Sequence, residues 1–166
     1  GNWIAPVLHL ARQTIELRLK ALLQTIVDRD HEVDERVLGK HDLSAIWGIG
    51  QDWLHSHGYA LNRDARLEAT NQLVAALHAV DPSGDLFRFS KSRQSRFGRN
   101  KSSDRVGVNY ETFPSAFKQT VKLLLHWEAV LFREKLKVEM GWENDPYFDA
   151  DDYPKTHQEA VRESAA

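Results

Sequence analysis

Glu16-Leu17-Arg18-Leu19-Lys20-Ala21-Leu22-Leu23 is the stretch that decides the fold class. It lies inside a longer pattern, from Pro6 to about Asp28. There Val7, Leu8, Ala11, Ile15, Leu19, Leu22, Leu23 and Ile26 recur at spacings of three and four, and Leu10 and Leu17 widen the stripe. That period is the signature of an amphipathic helix with one face in a core. Proline at position 6 fits the first turn, whose N–H groups have no partner within the helix. Glu16 and Lys20 stand four apart in the favourable orientation, worth a few tenths of a kcal/mol if exposed.

Working outward, Arg29 to Lys40 is dense in charge, has no sustained period and ends at Gly39, so it reads as a loop. A second helix is expected from His41 or Asp42, with the Asp42 carboxylate capping free N–H groups, through Ile46, Trp47, Ile49, Trp53 and Leu54 to a stop at Gly58. A third, from about Arg63, carries Leu67, Leu73, Val74, Leu77 and Val80 to the turn Asp81-Pro82-Ser83-Gly84. Phe87-Arg88-Phe89 suits a short extended segment with both rings inward. A fourth helix opens near Thr112 to Pro114, places Phe117, Val121, Leu124, Leu125, Leu131, Phe132, Leu136 and Met140 on one face, and ends at Gly141. The expectation is an all-α chain: an up-and-down bundle of four long helices over residues 1–141 with a basic loop at about 88–110. An irregular acidic and aromatic segment, 142–166, follows.

Composition narrows the function classes. The 166 residues suit one domain, large enough to bury roughly two-thirds of its unfolded surface. With no cysteine, thiol catalysis, thiolate metal sites and disulfides are excluded, which accords with a cytoplasmic location. The chain has neither an apolar run of membrane-spanning length nor a leader pattern at its N-terminus. A net charge of -2 means that any attraction for nucleic acid must be local. The local candidate is the stretch from Arg88 to Arg105, with seven bases and one acid. In it Arg93, Arg96, Arg99 and Lys101 alternate with small polar residues in a pattern that could track phosphates. The acids between Glu143 and Asp152 are the natural counter-charge for this stretch. P-loop, nucleophile-elbow and HExxH patterns are absent from the sequence, and no cofactor or metal is expected.

The segments Glu16-Leu17-Arg18-Leu19-Lys20, His41-Asp42-Leu43 and Phe87-Arg88-Phe89, in this order, resemble the HEPN family of small helical proteins, over roughly residues 4 to 140. The resemblance implies a helical bundle, frequently dimeric. Its members serve in bacterial toxin–antitoxin and phage-defence systems as RNA-cutting toxins, or as non-catalytic modules that bind RNA or nucleotides. Nuclease members carry an arginine, four to six intervening residues and a histidine in the last core helix. The histidine serves as acid or base and the arginine stabilises phosphoryl charge.

Only Arg36 and His41 match that spacing, and thirteen arginines would produce such a match by chance about twice. The fourth helix offers His126 and Arg133 in reversed order, about 10 Å apart along the axis. Three functional expectations follow. The first is a HEPN-like module binding RNA, a nucleotide or a protein partner such as an antitoxin, as a homodimer. The second is a divergent endoribonuclease using His41 with Arg36 or Arg88. The third is a helical oligomerisation domain of a larger protein, since Gly1 stands where a methionine would begin a chain. Glu16, Lys20, His41, Asp42 and Arg88 are expected to converge in one polar cluster, with Lys20 and Arg88 the candidate phosphate contacts. His55-Ser56-His57 cannot present both rings on one helical face, and Trp47 and Trp53 are expected in the core.

Overall fold

The computed structural model describes residues 4–84 and 111–141, and every structural statement below concerns these. They are 79% helical with no strand. Four helices carry the architecture: α1 (Ile4–Arg29), α2 (Leu43–Ser56), α3 (Leu67–Val80) and α4 (Phe113–Glu139). Short 3-10 turns lie at Glu35–Gly39 and Leu61–Arg63. The all-α, four-helix class expected from the periodicities is the one observed. The extended segment Phe87 to Phe89, the basic stretch and the C-terminal segment lie outside the described residues.

Local chemistry sets most boundaries. Asp42 caps α2, its carboxylate accepting from the Ala45 N–H at 2.8 Å, and Pro114 occupies the first turn of α4. Gly58, after α2, and Gly141, after α4, take left-handed φ values of 81° and 68°, the region where glycine has no Cβ penalty. The third helix starts at Leu67 rather than near Arg63. The Asp64 carboxylate there accepts from the Arg66 N–H at 3.0 Å, which turns the chain before the helix begins.

One core joins the helices. Ile15, Leu19, Leu22, Leu23 and Ile26 of α1 meet Leu43, Ile46 and Leu54 of α2, Leu73, Val74 and Leu77 of α3, and Leu123, Leu124 and Leu131 of α4. Trp47 and Trp53 are buried as expected, with their indole N–H groups donating to Asn71 and Asp30, both at 2.7 Å.

Chain direction alternates from α2 to α4, but α1 and α2 run the same way. Glu16 meets His41 just ahead of α2, Leu22 and Leu23 face Gly50 in its middle, and Asp30 meets Trp53 near its end. The simple up-and-down order therefore fails at the first link. The connecting residues 30–42 retrace the ~20 Å of helix between Asp30 and Glu16, a distance that a dozen residues cover easily. Buried Val37 and half-buried Val33 and Leu38 pin this return against the core.

The apolar stripes of α1 and α4 are also wider than the core they feed. Leu10, Leu17 and Val7 on α1 are exposed, as are Leu125, Phe132 and Met140 on α4. Thr120, Trp127 and Val130 complete the buried face of α4 instead.

Candidate functional site

The α1 helix presents Arg12, Glu16 and Lys20 on one side, four residues apart, toward the start of α2. Glu16 is the centre. Its Oε1 receives Lys20 Nζ at 2.9 Å and His41 Nδ1 at 2.7 Å, and its Oε2 receives Arg12 Nη1 at 2.7 Å. Arg12 is the hub that sequence reasoning missed. Only 3% exposed, it also donates from Nη2 to the His41 carbonyl at 2.7 Å and from Nε to the Asp81 carbonyl at 2.9 Å. One guanidinium thus ties α1 to the entry of α2 and the exit of α3. The signal was present in the sequence: Arg12 lies in the helical phase of Leu8, Ile15 and Leu19, where a charge must find partners.

The expected cluster is thereby assembled in part. Glu16, Lys20 and His41 converge. Asp42 lies beside them but serves the helix cap, with His78 Nδ1 3.5 Å from its Oδ1. Arg88 and the basic residues Arg93, Arg96, Arg99 and Lys101 fall outside the described residues. Gly84, the last described residue before that stretch, lies directly on Arg12: a Cβ there would come within 2.8 Å of Nη1, and its φ is 74°.

The electrostatics of Glu16 follow from this geometry. Burial disfavours its charge, but hydrogen bonds from Lys20, His41 and Arg12 outweigh that and hold its pKa below the ordinary 4.5. The ionised carboxylate orients the His41 ring through Nδ1. The His41 side chain is 50% exposed, and its Nε2 makes no hydrogen bond among the described residues.

Arg36 takes no part in that arrangement. Its side chain is 87% exposed and wraps onto Asp34, with Nε 2.8 Å and Nη2 2.6 Å from Oδ2. The arginine lowers the Asp34 pKa to about 2. On α4, His126 packs edge-on against Trp127 with centroids 5.3 Å apart. After burial, which opposes it, and hydrogen bonds from Arg66, His126 adds to the lowering of the Asp64 pKa. Arg133 is half-buried on the same helix.

A second polar knot occupies the opposite end of the bundle. Tyr59 donates its hydroxyl to Glu134, which also receives Arg29 Nη1 at 2.7 Å. Trp53 stacks on His57 at 4.0 Å and on Tyr59 at 5.9 Å, with Arg29 over its ring at 5.8 Å. Burial, and then Glu134, push the Tyr59 pKa up to about 12. Ser56, His57 and Asp30 here mimic a hydrolytic triad in outline, with Ser56 Oγ 3.1 Å from Nδ1 and Asp30 3.7 Å from Nε2. Their bonding argues against it. Ser56 Oγ and His57 Nδ1 both donate to the Trp53 carbonyl, at 3.0 and 2.9 Å, so Nδ1 has no lone pair for the serine proton.

No group of three metal-ligating side chains occurs among the described residues, and none of their helices is long and apolar enough to cross a membrane. No family model, curated protein or solved structure matches the chain.

Proposed function

We propose that this chain is a HEPN-like helical module that binds RNA, working as a homodimer in a bacterial defence or toxin–antitoxin setting. The observation that carries the reading is the convergence of Glu16, Lys20 and His41 at 2.7 and 2.9 Å. These are polar positions of two of the three segments on which the family resemblance rests. The third, Phe87-Arg88-Phe89, opens the basic stretch only a few residues after Gly84, which sits on Arg12 of the same network. Lys20 and the free edge of His41 offer polar contacts to a phosphate, while the basic stretch supplies the charge for a polyanion.

Affinity for single-stranded RNA should fall steeply with salt. Replacing Arg93, Arg96 and Arg99 by Ala should flatten that dependence by about two to three charges. A salt dependence unchanged in the triple variant would refute the assignment. Binding without cleavage is expected, because Arg36 is directed to Asp34 rather than to a shared phosphate with His41.

One observation favours a second reading, a divergent endoribonuclease. A carboxylate on Nδ1 and an accessible Nε2 are what a general acid or base requires. In that case the purified protein cuts RNA, and His41→Ala abolishes cutting while the fold persists.

A further inference from the structure

An apolar row runs along the outer face of α4. Leu125, Ala129, Phe132, Leu136 and Met140 recur at spacings of three and four, so each side chain neighbours the next along the helix. Helical phase sets the row opposite the buried Leu123, Trp127 and Leu131. Leu125, Ala129, Phe132 and Met140 are exposed, and Leu136 is half-buried. Apolar residues scattered singly on a surface need no explanation, but an unbroken row does. The ion pairs that tie α4 to α1, Arg18 with Glu128 and Asp28 with Lys135, stand on one flank and leave the row uninterrupted. The other flank is basic: phase puts Lys122, Arg133 and Lys137 there, and exposed Lys118 continues the row toward the start of the helix.

The end of α4 points to what covers it. Gly141 takes a φ of 68°, and its N–H donates to the Val138 carbonyl at 3.2 Å. These are the glycine position and one of the two bonds of a Schellman ending. The usual companion of that ending is an apolar contact from the residue after the glycine back onto the last turns of the helix. Here the residue after the glycine is Trp142, and the apolar residue at the matching helix position is Leu136.

Beyond Trp142 the sequence matches the row in both of its properties. Residues 142–153 hold four aromatic residues, Trp142, Tyr147, Phe148 and Tyr153, and five acids, Glu143, Asp145, Asp149, Asp151 and Asp152, with no base among them. From Met140 back to Leu125 the row is ~22 Å long, well within the reach of a dozen residues. Composition alone sets these acids against the basic stretch at 88–105. The cations of α4 are nearer along the chain, and a contact with them closes a shorter loop at a smaller cost in chain entropy.

We infer that residues 142–153 dock back along the outer face of α4, with aromatic rings on Leu125, Phe132 and Leu136 and acids toward Lys122, Arg133 and Lys137. The inference goes beyond the RNA reading and stands independently of it. Because the chain has no cysteine, a nitroxide on Ala150→Cys is a unique label in the whole chain. Its paramagnetic broadening should erase the amide signals of Leu125 and Ala129, toward the end of the row far from Gly141. Phe132→Lys and, separately, the pair Tyr147→Ser with Phe148→Ser should restore those signals, with helicity by circular dichroism unchanged. Added salt should restore them in part, since it screens the charges. Unbroadened Leu125 and Ala129, broadening confined to residues 88–105, or broadening that persists in both variants would overturn the inference. So would broadening that appears when isotope-labelled chains are mixed with separate nitroxide-bearing chains, because the segment would then lie on a second copy.

Discussion

The two polar knots on α1, one around its middle and one at its C-terminal end, are built from similar parts but differ in what they hold. Around Arg12, a guanidinium 3% exposed meets two carboxylates, those of Glu16 at 2.7 Å and Asp81 at 3.7 Å, and two backbone carbonyls, from three separate stretches of chain. Around Arg29, a guanidinium 26% exposed meets a carboxylate, a phenol and a tryptophan face. Ion pairs near water contribute little, because solvent already satisfies both partners. Removing one partner of a buried pair is costly, because the other is stranded without water. The first knot therefore fixes how the helices dock, and the second mainly decorates their far end.

The largest break in this comparison is Arg12→Ala. It should cost about 3 kcal/mol, leaving Glu16 and two carbonyls short of donors, whereas Arg29→Ala should cost under about 1 kcal/mol. Urea denaturation of the two variants checks the contrast, and equal losses would erase it. Gly84→Ala tests the same knot from its cover: a Cβ 2.8 Å from Arg12 Nη1, at a φ of 74°, should cost about 1–2 kcal/mol.

Acid offers a gentler probe. The Glu16 pKa is depressed in the folded state, so its contribution is fully present above the unfolded value near 4.5 and is lost as pH falls through the folded value. Wild-type stability should decline below that pH, and Glu16→Gln should show a flatter acid limb. At the other knot the sign reverses. The Tyr59 pKa is raised from 10.0 to about 12, so its contribution is present below pH 10 and fades as pH climbs through 12. Tyrosinate absorbance in Tyr59→Phe should lack the latest-titrating component. The smallest effect is a gain: Gly48→Ala in α2, with open space at its Cβ position, should stabilise by about 0.5–1 kcal/mol.

Local sequence was enough to determine the helices. Spacings of three and four, Asp42 at a cap, Pro114 in a first turn and glycines at 58 and 141 each act within a few residues, so the chain carries its own start and stop signals. Glu16, Lys20 and His41 were legible as polar positions because two of them share a helix face and the third opens the next helix. Arg12 was legible only as a charge in the buried phase of α1; its partners, Asp81 and the His41 carbonyl, are distant in sequence, and only docking shows that a backbone oxygen is waiting there. The same physics hid the parallel course of α1 and α2. A loop rich in charge reads as solvent-exposed turn, and nothing local reveals that Val33 and Val37 anchor it along α1. The stripes on α1 and α4 were visible as apolar in sequence, but periodicity gives only the phase of a side chain. Which apolar residues enter the core, and which stay outside it, depends on the width of the neighbouring helix, and that is set by tertiary packing alone.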